Sequence, residues 1–204
     1  MVAGTSVLGV RSVTVSGLRT LSTEDVIDAA GIRHGQPLLR LDTAAVAGRI
    51  QGIPGVSRVA VQRAWPSTVR IVITERKGVA VVTRDGSPWL IDRDGVVFQH
   101  LASRPPGLPR LALARVAPTD SVTRAALAAV VALPAALTAQ IVAVTAATAE
   151  SVTLTLTGGR TVVWGGADRG AQKARVLAAL LRQSADTPQA TRYDISDPSV
   201  VAIR

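Results

Sequence analysis

Cysteine is absent, which excludes disulfides and thiolate metal sites and leaves the redox compartment undecided. Aromatic residues make up only 2% of the chain, so any core must be built from Val, Ala, Leu and Ile. That scarcity also removes the stacked rings on which single-stranded nucleic acid is usually held. Only two histidines occur, His34 and His100, and they fall in different predicted domains. His34 reads as an exposed polar residue of a loop, and neither histidine has the company a metal site needs. Runs of Lys or Arg are missing too, although the net charge is +9. Ten basic and five acidic residues lie up to Lys77, and thirteen and nine lie beyond it. The charge is therefore spread along the chain, with Arg58, Arg63, Arg70, Arg84, Arg93 and Arg160 standing singly on predicted strands or turns. Arginine reads first as this chain's ordinary surface base. Attraction to anionic lipid headgroups or anionic wall polymers is the functional alternative. A nucleic-acid partner is not expected.

Convergent catalytic groups are also lacking. Glu24, Asp25 and Asp28 share the first turns of a predicted helix, where acids suit the helix dipole. Gly165-Gly166-Ala167-Asp168-Arg169-Gly170 with Lys173 faintly suggests a phosphate loop. It lacks the Gly-Lys-Ser/Thr triplet whose lysine and hydroxyl meet phosphate and magnesium, so it reads as a turn into a helix. No enzyme activity, cofactor, metal or small-molecule substrate is expected.

Met1 to Ser6 has neither the basic start nor the apolar centre of a signal peptide. Ala125 to Ala149 carries no charge and is long enough to span a bilayer. Its alanine content, Pro134 and Gln140 argue against that, and the pattern shifts from a helical face (Val122, Ala126, Ala129, Val130, Leu133) to a strand (Ile141, Val142, Val144).

What is present is most legible between Val56 and Arg76. Val59 and Val61, then Val69, Ile71 and Ile73, alternate with polar or small residues around Trp65-Pro66-Ser67-Thr68. This predicts an antiparallel hairpin with one buried face. Two short helices precede it. Ser22 caps the first, with Asp25 expected to reach back to the Ser22 amide as in a capping box, and Leu21 and Val26 as a hydrophobic staple. Asp42 caps the second, with Leu41 and Val46 as its staple. Gly31 ends the first; Gly52 and Pro54 end the second. A strand from Val10 to Ser16 comes before both, giving a β-α-α-β-β order that packs two helices on a three-stranded sheet.

Beyond Lys77 the texture is that of hairpins. Strands are predicted over Val79 to Thr83, Trp89 to Asp92 and Val96 to Phe98, with Asp85-Gly86 and Asp94-Gly95 as turns. Further strand signals lie at Leu111 and Leu113, Val152 to Leu156 and Thr161 to Trp164. Helices are expected from about Thr119 and from about Asp168 to Arg182. Tyr193 to Ser196 and Val200 to Ile203 read as one or two last strands. The class is α+β.

Taken in order, these pieces resemble the FtsQ/DivIB family of bacterial cell-division proteins. The first part resembles its POTRA domain through Val13-Thr14-Val15-Ser16-Gly17, Ala30-Gly31-Ile32, Gly35, Pro37-Leu38-Leu39, Ile53-Pro54-Gly55-Val56, Arg63 to Val69 and Glu75-Arg76 with Val79-Ala80. Gly78 stands where the family usually has Pro, which implies a looser junction. The second part resembles the family's C-terminal β domain through Leu90-Ile91-Asp92, Asp94-Gly95-Val96, Gly165-Gly166 and Arg192-Tyr193-Asp194. The resemblance implies residues 1–9 as a membrane-proximal segment, a POTRA domain at 10–77 and a mostly antiparallel β domain with two helices at 78–204. It implies a cytoplasmic tail and a single span ahead of residue 1, so the chain is expected to be the extracytoplasmic part of a single-pass membrane protein at the division septum. The implied role is a non-catalytic scaffold that binds FtsB/DivIC, and through it FtsL, at a C-terminal sheet edge. Arg192, Tyr193, Asp194, Ile195, Ser196, Val200 and Val201 are the expected contact residues, with Tyr193 either an interface anchor or a ring packed at the sheet margin. Other division proteins would be met by the POTRA domain. The competing expectation is a POTRA-bearing outer-membrane assembly or secretion factor, which would normally show several repeats; one is found.

Overall fold

Alternation at the hairpin is borne out by burial: Val69, Ile71 and Ile73 are 0%, 0% and 3% exposed, while their neighbours face outward. A computed structural model describes residues 8–183, 191–200 and 202–203 of the chain. It divides into two compact units, residues 1–76 and 77–204. Each has its own apolar core.

The first unit runs β1 (Ser12–Ser16), α1 (Thr23–Ala30), a 3-10 turn (Leu38–Arg40), α2 (Thr43–Gln51), β2 (Val56–Ala64) and β3 (Thr68–Glu75). This is the expected β-α-α-β-β order, with one short turn the sequence did not announce. The sheet order is β1-β3-β2, with β1 parallel and β2 antiparallel to β3. Val26, Ala30, Val46 and Ile50 from the helices meet Val56, Val69, Ile71 and Ile73 from the sheet.

Several local choices fix this arrangement. The Ser22 hydroxyl caps α1 by accepting from the Glu24 N–H at 3.1 Å. The reciprocal bond expected from Asp25 to the Ser22 amide is not formed among the described hydrogen bonds. Gly31 ends α1 in the left-handed conformation, and Arg49 donates to the Ala30 carbonyl beyond it. Asp42 caps α2 through the Ala44 and Ala45 N–H groups, both at 3.0 Å. Gly17 has φ +86°, and a Cβ there would stand 2.0 Å from the Ile73 carbonyl oxygen. Only glycine lets β1 turn away from the sheet at that point.

Glu75 closes the unit. Its carboxylate accepts from the N–H groups of Arg19, Thr20 and Leu21 and from the Thr20 hydroxyl, at 2.6–3.1 Å. Desolvation pushes its pKa up, but these donors outweigh it and hold the group at about 2. The loop entering α1 is thereby fastened to the end of β3. Arg63 does the same elsewhere, donating to the carbonyls of Leu38 and Leu41 at 3.0 and 2.6 Å. Arg76 donates to those of Pro54 and Val56 at 3.1 and 3.0 Å.

The second unit runs β4 (Gly78–Arg84), β5 (Ser87–Asp92), β6 (Val97–His100), β7 (Arg110–Ala112), α3 (Ser121–Ala132), α4 (Ala135–Thr138), β8 (Ile141–Thr145), β9 (Val152–Leu156), β10 (Thr161–Gly165), α5 (Gly170–Gln183), β11 (Arg192–Asp194) and β12 (Ala202–Ile203). The sheet has nine strands in the order β12-β11-β10-β9-β8-β7-β4-β5-β6. It is mostly antiparallel; β10/β11, β4/β7 and β7/β8 are the parallel pairs. Gly78, expected to loosen a junction, is the first residue of β4, opposite Asp92 and packed under Leu90. α3 lies on β4 and β9 and against α5.

The uncharged segment 125–149 resolves into most of α3, the single turn α4 after Pro134, and β8. None of the described helices is long and apolar enough to cross a membrane. The buried Asp92 carboxylate accepts from Asp94 and Val96 N–H at 2.9 and 2.8 Å, which explains the Asp92…Asp94-Gly95 pattern as a turn device.

Candidate functional site

Tyr193, expected as an interface anchor or a ring at the sheet margin, is 1% exposed and belongs to the core, as does Ile195 at 0%. The two side chains stand two residues apart and so share the core-facing side of the sheet, and β11 is not the rim. It lies between β10, to which it is parallel, and β12, to which it is antiparallel. Arg192 and Ser196 are exposed and Asp194 is half-buried. The Asp194 carboxylate accepts from the Ser196 N–H at 3.1 Å and hydroxyl at 2.7 Å. Val200 is 73% exposed, and Val201 lies outside the described residues.

The rim itself is β12, paired as Tyr193 opposite Ile203 and Asp194 opposite Ala202. Among the described residues no strand pairs with its outer side. Ile203, absent from the sequence-based set, is 54% exposed. With Val200 it presents two large apolar side chains near an open ladder. Its signal was its place on the last strand expected over Val200 to Ile203.

A relay of charges supports this edge from α5. Lys173 is fully buried, and its ammonium donates to the Gly166 carbonyl at 3.0 Å and the Asp168 carboxylate at 3.2 Å, 5.9 Å from the Trp164 ring centre. Asp168 also accepts from Arg169 at 2.9 Å, and Arg169 donates to Asp197 at 3.1 Å. Asp197 accepts from the Ser199 N–H and hydroxyl, shaping the turn between β11 and β12. Arg169, then Lys173, hold the Asp168 carboxyl below its ordinary range. The Ser199 hydroxyl and N–H do the same for Asp197, with Arg169 adding to it. Gly165, at φ +76°, brings the backbone so close that a Cβ would stand 2.8 Å from Ser196 Cβ.

The glycine-rich segment of the sequence is therefore the loop into α5, and Lys173 holds that loop from inside. The helix starts at Gly170, two residues later than expected, because Asp168 and Arg169 are used in the turn. Trp164 Nε1 and Tyr193 Oη find no hydrogen-bond partner among the described residues. His34 lies in the loop after α1, and His100 on β6 meets Trp89 edge-on at 5.2 Å. Among the described residues no three His, Asp or Glu side chains gather as metal ligands.

Comparison with known proteins agrees with the two-unit reading. Residues 8–76 match the family model described as POTRA domain, FtsQ-type, and residues 80–199 match that described as Cell division protein FtsQ/DivIB, C-terminal. The class is thus a POTRA unit followed in the same chain by the β domain that accompanies it in division proteins. The chain is 43% identical over 200 residues to cell division protein FtsQ of Mycolicibacterium smegmatis, covering 98% of this chain and 58% of that one. It is 40% identical to FtsQ of Mycobacterium leprae, over 98% of this chain and 57% of that one. It is 35% identical to FtsQ of Streptomyces griseus, over 98% and 99%. The chain belongs to the FtsQ/DivIB family of cell division proteins, and spans less than two thirds of the length of its mycobacterial relatives. A solved extracytoplasmic domain of DivIB from Geobacillus stearothermophilus aligns with TM-score 0.41 at 18% identity, over 54% of this chain and 97% of that one. Nothing in these comparisons supports the outer-membrane assembly alternative.

Proposed function

We propose that this chain is the extracytoplasmic part of a single-pass division protein at the septum, acting as a non-catalytic scaffold. Its C-terminal sheet edge takes a strand from an FtsB/DivIC-type partner, and FtsL joins through that partner. The POTRA unit, residues 10–77, faces other division proteins, and residues 78–204 form the recruiting domain.

The observation that carries the reading is the rim strand β12. Among the described residues its outer side is unpaired, with Val200 and Ile203 exposed beside it. Backbone groups on an open edge give affinity to an added strand, and exposed side chains at alternate positions give selectivity. Arg192 and Ser196 supply polar contacts at the margin. Tyr193 and Ile195 act from within, by fixing β11 against the core. Asp194 shapes the turn that leads to the rim.

The test is binding of the 204-residue chain to the extracytoplasmic segment of an FtsB/DivIC-type protein, by calorimetry. Val200→Asp with Ile203→Asp should weaken binding by about tenfold or more while leaving the fold intact. Full binding by the double variant would remove the edge from the mechanism.

A further inference from the structure

A second cluster of exposed apolar residues lies in the first unit, on a surface the edge reading leaves unused. Leu8, Leu39 and Trp65 are 45%, 72% and 55% exposed. Isolated apolar residues on a surface are ordinary. These three come from separate segments that the backbone gathers at one end. The Leu38 N–H donates to the Leu8 carbonyl at 2.9 Å, and the Arg11 N–H donates to that of Ser67 at 2.8 Å. The Arg63 side chain links the end of β2 to the 3-10 turn that holds Leu39. Strand register agrees, since β1 and β3 start and β2 ends at this end.

The charge around the three is mainly positive, with Asp28, exposed in the last turn of α1 three residues before Gly31, as an acidic exception. Arg11, Arg33, Arg40 and Arg63 lie at this end and are exposed. Asp42 is here too, with its carboxylate occupied in capping α2. Glu24, Asp25 and Glu75 belong to the opposite end, where β3 finishes and α1 begins. An open polar depression beside the cluster is lined by Gly31, Arg33, His34, Gly35, Gln36 and Arg49, with no carboxylate among them.

We infer that this end of the first unit docks on an anionic lipid bilayer, with Leu8, Leu39 and Trp65 entering the headgroup layer and Arg33 and Arg40 meeting lipid phosphates. Three apolar prongs on loops and a turn do not make the continuous groove or face that a folded partner would fill. A lipid surface accepts separate prongs, and Trp settles at headgroup depth. The basic rim and the depression complement phosphate-bearing lipid. This docking is independent of the β12 edge.

The probe is vesicle co-sedimentation of the 204-residue chain. Pure phosphatidylcholine is compared with phosphatidylcholine containing about 30% phosphatidylglycerol, a proportion that gives a strongly negative surface. Binding is expected on the anionic vesicles and should weaken as salt shortens the Debye length. Arg33→Ser and Arg40→Ser should each lower partitioning roughly fivefold. Arg58→Ser, at the other end, should change it less. Leu39→Ser with Trp65→Ser should lower it by about tenfold or more. Brominated lipid should quench the fluorescence of the parent chain and spare Trp65→Phe, which separates insertion from general attraction of a basic protein. Equal effects of Arg58→Ser and Arg40→Ser, or quenching unchanged in Trp65→Phe, would overturn the docking mode. Absence of vesicle binding at low salt would overturn it outright and return the face to a protein partner.

Discussion

Glu75 shows how much one side chain can hold. Four donors converge on a carboxylate that is only half-buried, and the group's pKa falls to about 2 from an ordinary 4.5. A depressed folded-state pKa stabilises the fold above the unfolded value, and that contribution is lost as pH falls through the folded one. The first unit should therefore lose about 2 kcal/mol between roughly pH 5 and pH 2 from this group. Glu75→Gln should remove most of that loss from a urea-unfolding series across pH, while lowering stability at pH 7 by a similar amount. An unchanged pH profile in the variant would show that the carboxylate is not the acid-sensitive group. The sequence displayed Glu75-Arg76 as a motif but gave no hint of the loop it binds, because the partners stand more than fifty residues away.

Tyr193 teaches the complementary lesson. A three-residue alternation near a chain's end reads the same whether it forms the rim or lies one strand inside. The pairing order, with β12 outside β11, decides that this strand is not the rim, and the helix-covered face on which Tyr193 and Ile195 both fall decides that the ring is buried. Since Tyr193 Oη meets no partner among the described residues, Tyr193→Phe should leave stability within about 1 kcal/mol of the parent. It should also leave partner binding unchanged. A surface anchor would lose affinity in the same variant, so calorimetry separates the two roles.

Among the elements, the loop into α5 is the one whose meaning changed most on folding. Gly165-Gly166 and Lys173 resembled a ligand cradle in the sequence. In the fold the lysine points inward and satisfies the loop's own carbonyl and carboxylate. Lys173→Met should cost about 1–3 kcal/mol in urea unfolding, because it leaves the buried Gly166 carbonyl without its donor. Arg169→Ala acts at the outer end of the same relay, where the side chains of Arg169 and Asp197 are 45% and 54% exposed. Its effect on stability should be small. Amide exchange near Ser199 should nevertheless quicken, because the turn loses its outer support. The hairpins, caps and helices were legible because their signals are local. The four parallel pairings were not, since nothing in a strand's own residues names a distant neighbour.

At the scale of the whole molecule, each unit owns a closed core, and the chain divides between Arg76 and Lys77. Residues 8–76 expressed alone should therefore fold and unfold cooperatively, with amide dispersion by NMR as the check. At that size the margin is small. Gly17→Ala in that fragment should remove at least about 1–3 kcal/mol of it, the cost of the positive φ before the approach of the new Cβ to the Ile73 carbonyl oxygen is added. Among the described residues the nine-stranded sheet of the second unit ends on one side in the four-residue strand β6. A rim that short offers few ladder bonds to template another copy of the same chain. Copies crowded together would therefore find little to pair through at β6, and lasting attachment falls to the opposite rim, where a visitor brings its own side-chain contacts. The brevity of β6 is a safeguard against fibre growth.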